Sequence, residues 1–261
     1  MKDILAGPQL ETLAQFAWSN VLVGLDFDGT LAPIVQRPEA AKLRARTRSL
    51  LVSLAAEYPV AVLSGRARDD VASRMEGIPV AAIVGNHGLE PGADLAACKA
   101  LVARWIPIVR TALAAEAGVE VEDKTFSFAV HYRRSRTRRE ALARIQAVIA
   151  SLGPGTRVIG GKLVVNVLPA GAPHKGIALM RLRAELGVDT ALYVGDDVTD
   201  EDVFSLDDPG RLLSIRVGHH TRSRARYYVS SQRAVDDLLK VLVTARRNAG
   251  HRSAERQGAG A

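Results

Sequence analysis

Residues 21–34 read VLVGLDFDGTLAPI, and this stretch decides the fold. Four apolar residues and one glycine lead into Asp26 and Asp28, which stand one residue apart just before Gly29 and Thr30. A continuous apolar run is the pattern of a strand buried on both faces, as in a parallel sheet. Two carboxylates this close repel each other, so they need a compensating charge to coexist at the end of such a strand.

Outward from this strand the chain alternates helix and strand. Helical spacing over 47–57, with Leu50, Leu51 and Leu54 on one side, is followed by a buried strand at 59–66 and a helix at 68–76. A third strand at 80–88 ends in the loop Gly85-Asn86-His87-Gly88. The rhythm returns with a helix at 174–186, a buried strand at 190–197, an edge-side strand at 212–218 and a closing helix at 232–245. This alternation predicts an α/β fold with a Rossmann-like parallel-sheet core, covered on both faces.

The middle of the chain has a different period. A long helix at 94–117 is expected to kink or divide near Pro107. Phe126, Phe128, Val130 and Tyr132 alternate with polar or small residues, which predicts a half-buried strand paired with 119–122 across a tight turn near Asp123-Lys124. An amphipathic helix at 137–153 turns Leu142, Ile145, Val148, Ile149 and Leu152 inward. A second hairpin over 156–169 is expected to turn at Gly160-Gly161. The organisation read from this is a core of 1–92 and 169–250, an inserted α+β cap of 93–168, and a disordered tail of 251–261 that lacks periodicity.

Composition narrows the partners. Of 261 residues 48% are hydrophobic and 24% charged, as in ordinary soluble domains, and the 5% aromatic content leaves a core of Ala, Val, Leu and Ile. The net charge is +7, with arginine clusters at 133–139 and 222–226. No aromatics interleave with them, so no nucleic-acid partner is expected and the clusters read as solvated surface. No segment is long and apolar enough to span a membrane, and residues 1–16 do not read as a signal peptide, so no membrane partner and a cytoplasmic location are expected. Cys98 is the single cysteine, which excludes an intrachain disulfide and a Cys-rich metal site; its Ala-rich helical setting makes it a small core residue.

Ligands of open α/β sheets bind beyond the carboxyl ends of the strands. Here those ends carry Asp26, Asp28 and Thr30; Ser64, Gly65 and Arg66; Asn86 and His87; and Asp196, Asp197 and Asp200, while Lys175 opens a helix. A single aspartate at a strand end is usually a helix cap. All of these together, in this order, are a site. Carboxylates with few histidines and no paired cysteines suit a hard cation, of which Mg²⁺ is the usual one. Such a cation beside a lysine and glycine-rich turns suits phosphate.

The segments DFDGTLAPI, LSGR, PHKG and GDDVTDEDVF resemble the four ordered motifs of the haloacid-dehalogenase-like phosphohydrolases. More narrowly, DFDGTLAPI, GNHGLE, VEDKTFSFAVHYR and GDDVTDED resemble the trehalose-6-phosphate phosphatases, and the likeness covers residues 21 to about 240. The resemblance implies a Mg²⁺-dependent phosphatase that hydrolyses trehalose 6-phosphate through an aspartyl-phosphate. Its partner would be a phosphorylated sugar taken up by a monomer. Asp26 would be the nucleophile, and Asp28 the acid and then the base, held protonated by Asp26 and partial burial. Ser64 would bond a phosphoryl oxygen, Lys175 would neutralise charge, and backbone amides through Gly29 would complete the cradle. Asp26, the main-chain carbonyl of Asp28, and Asp196 would hold Mg²⁺. Asp197 and Asp200 would hold metal-bound waters or orient Lys175.

The same resemblance makes the insertion a lid that meets the sugar. Arg66, Asn86 and His87 would bind substrate from the core, and Glu122, Lys124, Lys162 and Asn166 from the cap. By spacing alone, Glu122 and Lys124 also fit a surface pair on a hairpin, and His87 a loop hydrogen bond. One position departs from the family pattern: Asn166 stands where a glutamate is usual, and Leu168-Pro169 where Arg-Pro often follows. An asparagine is neutral and has one good acceptor oxygen. It keeps open a different substrate for the same chemistry, such as glucosylglycerol phosphate or a glucosyl- or mannosyl-3-phosphoglycerate. A phospho-accepting receiver domain would lack both the insertion and Asp28.

Overall fold

The apolar runs pair into one seven-stranded sheet in which every neighbour is parallel. The structure, a computed structural model, describes residues 1–35, 37–92, 95–206 and 208–258. In chain order the core begins with β1 (Lys2–Asp3), α1 (Gln9–Trp18), β2 (Val21–Leu25), α2 (Ala45–Ala55), β3 (Val60–Leu63), α3 (Arg68–Arg74) and β4 (Ala82–Val84). An inserted unit follows: α4 (Leu95–Leu113), β5 (Glu120–Asp123), β6 (Phe128–His131), α5 (Arg138–Ala150), β7 (Thr156–Gly161) and β8 (Val164–Pro169). The core resumes with α6 (Lys175–Glu185), β9 (Thr190–Gly195), α7 (Glu201–Phe204), β10 (Leu212–Val217), β11 (Tyr227–Val229) and α8 (Ala234–Gly258).

Alternate residues of each strand face opposite layers. Val21, Val23 and Leu25 of β2 pack with Leu13 of α1, Leu51 and Leu54 of α2, and Leu238 and Leu242 of α8. Leu22 and Tyr193 face Leu179 and Leu182 of α6 and Phe204 of α7. Full burial of an aliphatic side chain is worth roughly 1.5–3 kcal/mol. The four aliphatics of β2 therefore hold that strand firmly enough to carry mutually repelling groups at its tip.

The sheet order is β1-β11-β10-β9-β2-β3-β4. From β2 the chain winds outward through β3 and β4, then returns to β9 on the other side of β2. The carboxyl ends of β2 and β9 flank this reversal, the place where such sheets bind ligands. Asp26 and Asp196 are thereby brought side by side although they lie far apart in sequence.

The insertion forms its own antiparallel sheet, β5-β6-β8-β7. Its core joins Val102, Trp105, Ile106 and Val109 of α4 to Ile145, Val148 and Ile149 of α5 and to Phe128, Val130, Val165 and Val167 of the sheet, with Leu142 and Leu152 partly buried beside them. Several details differ from the sequence reading. Helix α4 runs unbroken through Pro107, which lies on its exposed face, where water can take the carbonyl that proline leaves unbonded. Strand β6 is not half-buried: Ala129 and Ser127, on the face opposite Phe128 and Val130, are buried too, because the core covers that face. The first hairpin pairs Asp123 with Phe128, so its turn is the four residues 124–127. The second pairs Gly161 with Val164, so Lys162 and Leu163 make the turn, Leu163 at φ 64°, while Gly160 and Gly161 lie in β7.

Helix α8 continues to Gly258, beyond the end read at 245 and into the tail read as disordered from 251; residues 259–261 lie outside the described residues. The boundary read at 93 falls on Ala93, which also lies outside them. No described helix is long and apolar enough to cross a membrane. Cys98 is buried, as its helical setting predicts, in a small cluster with Leu89, Ile159, Leu168 and Ala172.

Candidate active site

Asp26 directly follows β2, and its amide donates to the carbonyl of Val194 at 2.9 Å, so β9 fixes where its side chain begins. Lys175, the first residue of α6, is 1% exposed. Its Nζ donates to Asp26 Oδ1 and to Asp200 Oδ1, each at 2.7 Å. Asp200 Oδ1 also accepts from the Tyr193 hydroxyl at 2.7 Å, and Asp200 Oδ2 accepts from the Asp197 amide at 2.9 Å. Gly195 makes this approach possible: a Cβ there would lie 2.2 Å from Asp200 Cγ. Asp197 itself is exposed.

Asp26, Asp196 and Asp200 offer carboxylate oxygens that lie within 4.8 Å of one another. Burial pushes Asp26 well above the ordinary carboxylate range; Lys175 opposes that shift, while Asp200 and Asp196 add to it. Asp196 is pushed up to about 7 by burial and by repulsion from Asp200 and Asp197. Burial alone would weaken the charge on Lys175, but Asp200 and Asp26 hold its pKa well above the usual value. Asp196 Oδ1 is buried and has no hydrogen-bond partner among the described residues. Three carboxylates facing one ammonium, with an orphaned oxygen among them, fit a cation, and an oxygen-only donor set fits a hard one.

Gly29 serves this cluster by lacking a side chain. Its φ is +84°, and a Cβ would stand 2.1 Å from Asp196 Oδ2. Its amide donates to the carbonyl of Ala32 at 2.7 Å, so it is not available to the cradle assigned to it from sequence. The amides of Phe27 and Asp28 have no hydrogen-bond partner among the described residues and are the ones available there. No side-chain signal in the sequence marks a free backbone amide.

Asp28 accepts from Arg66 through both oxygens, and Arg66 also donates to Asp70 at 2.8 Å. The expectation of a protonated Asp28 beside Asp26 misses this neighbour: neither of its oxygens is free to carry a proton to substrate in this arrangement. Ser64 is 1% exposed, and its Oγ accepts from the Arg66 amide at 3.2 Å, which leaves its own proton to donate.

Above this floor lies a cavity of about 650 Å³, roofed by the inserted sheet. Asp26, Asp28, Ser64, Arg66, His87, Lys175, Asp196 and Asp197 line it from the core, and Glu122, Lys124, Lys162 and Asn166 from the cap. Lys124 Nζ reaches the carbonyl of Gly65 at 3.2 Å and Asn166 Oδ1 at 3.4 Å. Burial pushes its pKa below the ordinary value, against the attraction of Glu122. His87 is buried, and burial with the charges of Lys124 and Lys175 pushes it well below the usual histidine range, against an opposing contact with Asn166. Asn86 is the exception: it is fully buried behind the cavity and does not line it.

His131 and Arg133 line the cavity as well and were not singled out from sequence. His131 Nε2 lies 2.8 Å from Glu122 Oε2. Burial works against the charge on Glu122, but His131 and Lys124 outweigh it and hold the carboxyl below its ordinary range. The alternation along β6 held the signal for His131, since that residue pairs with Glu120 on the strand bearing Glu122.

The trehalose-phosphatase family model matches residues 24–234. The chain belongs to the trehalose-phosphatase family. Among curated relatives, an uncharacterized glycosyl hydrolase of Mycobacterium tuberculosis is 42% identical over 200 residues, 70% of this chain and 15% of the relative. A trehalose-phosphate phosphatase of Mycobacterium avium is 37% identical over 198 residues, 70% of this chain and 50% of the relative. The chain thus spans half or less of the length of these relatives. The C-terminal domain of C. albicans trehalose-6-phosphate phosphatase superposes with a TM-score of 0.77 at 22% identity, covering 94% of this chain and 99% of that one. At that identity the likeness establishes a common fold. Both the α/β fold and the trehalose-phosphatase likeness read from the motifs are borne out.

Proposed function

We propose that this trehalose-phosphatase family member hydrolyses trehalose 6-phosphate in a Mg²⁺-dependent reaction through a phosphorylated Asp26. The observation that carries this reading is the pairing of buried Asp26 with Lys175, beside Asp196 and Asp200, on the floor of a cavity roofed by the cap. Asp26 and Asp196, with the main-chain carbonyl of Asp28, would hold Mg²⁺. When bound, the cation offsets the carboxylate charge and the charge of the phosphoryl group.

Asp26 attacks phosphorus, and the bond from phosphorus to the sugar oxygen breaks. Lys175 favours the ionised form of Asp26 against its burial and balances the entering phosphate. The amides of Phe27 and Asp28 and the Ser64 hydroxyl donate to phosphoryl oxygens. Asp28, once it exchanges Arg66 for the leaving oxygen, gives that oxygen its proton. It then takes a proton from the water that attacks the aspartyl-phosphate, which restores the Asp26 carboxylate and releases phosphate. The lid, residues 93–168, would supply Glu122, Lys124, Lys162 and Asn166 to the sugar.

A second reading keeps the chemistry and changes the sugar, to glucosylglycerol phosphate or a glucosyl- or mannosyl-3-phosphoglycerate. Asn166 favours it, because a neutral amide, not a carboxylate, stands beside Lys124. Phosphate release from a panel of these compounds and glucose 6-phosphate, with and without Mg²⁺, decides between them. Trehalose 6-phosphate no better than glucose 6-phosphate at low concentration rules out the first reading.

A further inference from the structure

Asn86 is wholly buried, and its side chain ties the core to the cap. Its Nδ2 donates to Glu90 Oε2 at 2.5 Å and to the carbonyl of Lys124 at 3.3 Å. Its Oδ1 accepts a short hydrogen bond from the Ser127 hydroxyl. Asn86 and Glu90 belong to the loop after β4, while Lys124 and Ser127 bound the turn between β5 and β6.

The main chain around Asn86 is fixed to the catalytic rim. Asn86 and His87 have φ of 47° and 60°, a region that side chains other than glycine's rarely adopt and that surrounding contacts must enforce. Their amides donate to the carbonyls of Arg66 at 2.7 Å and Ser64 at 2.9 Å. Glu90 Oε2 also accepts from the Arg68 amide at 3.0 Å. Lys124, carried by the turn that Asn86 holds, reaches back to the Gly65 carbonyl at 3.2 Å. Loops 64–66 and 86–90 of the core and 124–127 of the cap therefore meet at one buried amide.

We infer that Asn86, Glu90 and Ser127 are positioning residues: they clasp the cap turn to the rim and so set Lys124 in the cavity where it meets the sugar. This rests on the phosphatase reading above. It differs from a sugar-contact role for Asn86, whose amide has no exposed surface and already has a partner at each atom. A lysine side chain is long and has many rotamers, so where its ammonium lies depends on how firmly its backbone is placed. The Asn86 side chain bonds to Glu90, to the backbone of Lys124 and to Ser127, three residues on, and among the described residues to no side chain that lines the cavity.

The test compares Asn86→Ala and Ser127→Ala with the wild type on trehalose 6-phosphate and on p-nitrophenyl phosphate, which has no sugar to meet Lys124. The expected result is a fall in kcat/KM for the sugar phosphate of about tenfold to a hundredfold, mostly through KM. Turnover of p-nitrophenyl phosphate stays within about threefold. In a Lys124→Met background, Ser127→Ala adds less than about twofold, because the residue it acts through is gone. Equal losses on both substrates, or a full extra loss in the Lys124→Met background, overturn the clasp. Should Asn86→Ala not fold, Ser127→Ala, which removes a single hydroxyl, decides alone. Wild-type turnover of neither substrate in Mg²⁺ would overturn the phosphatase reading and, with it, this role.

Discussion

Arg66 grips both carboxylate oxygens of Asp28, with Nε 2.6 Å from Oδ2 and Nη2 2.7 Å from Oδ1. The two bonds occupy both oxygens that could face a leaving group. Proton donation by Asp28 therefore requires the grip to open, and the shared hold on Asp70 gives Arg66 somewhere to stay when it does.

The first prediction concerns that proton. Asp28→Asn should lower kcat on the sugar phosphate by about 10²–10⁴-fold, the usual worth of a general acid. The loss should be far smaller on p-nitrophenyl phosphate, whose leaving group departs without a proton. Steady-state kinetics on the two substrates check this, and equal losses would remove Asp28 from the role.

Gly29→Ala should disable the cation cluster without touching a charged group. The added methyl would meet Asp196 Oδ2 at 2.1 Å, in a backbone conformation of φ +84° that alanine resists. The Mg²⁺ concentration for half-activation should rise by at least about tenfold, equivalent to roughly 1.4 kcal/mol of binding. A Mg²⁺ titration of activity, paired with thermal melts with and without the ion, reads the shift. Unchanged Mg²⁺ dependence would disconnect Asp196 from the cation.

His87 should make the protein less stable in mild acid. Its ordinary value of 6.5 describes the unfolded chain, and burial holds the folded value well below that. Above 6.5 both states are neutral and the contribution of the ring is fully present. As pH falls below 6.5, the unfolded state takes up a proton that the folded state refuses, and stability drops by up to about 1.4 kcal/mol per pH unit. Urea denaturation from about pH 7 to about pH 5 should show a shallower fall in His87→Gln than in the wild type. Parallel curves would mean that the folded ring titrates normally.

Asn166→Glu should shift substrate preference, not chemistry. The new carboxylate would sit near Lys124 and raise the ammonium's pKa, which burial now depresses. The expected outcome is a change in KM of about fivefold or more for trehalose 6-phosphate, with kcat little moved. An unchanged ranking across the sugar-phosphate panel would show that position 166 does not select the sugar.

The core was legible because its signals are strong and local. The apolar runs before Asp26, Ser64 and Asp196 become β2, β3 and β9, and the polar residues that end them reach one rim. β1 and β11 escaped because they are two and three residues long, too short for a period to register. The turn at Lys162-Leu163 was hidden by the adjacent glycines, which draw a turn reading although their backbone suits the strand. The hold of Arg66 on Asp28 was not legible because it joins residues 38 apart. Asn86 was misplaced for a similar reason: its bonds to Lys124 and Ser127 exist only once the cap lies on the core.

The chain enters and leaves the insertion beside a single apolar knot, in which Cys98 of α4 meets Leu89 before it and Leu168 and Ala172 after it. Cys98 is the only thiol and is 6% exposed. If the insertion opens as the proposed lid, an excursion that parts this knot would bare a sulfur to alkylation. The rate at which a thiol reagent labels the protein would then be a clock for lid opening, without any engineered probe.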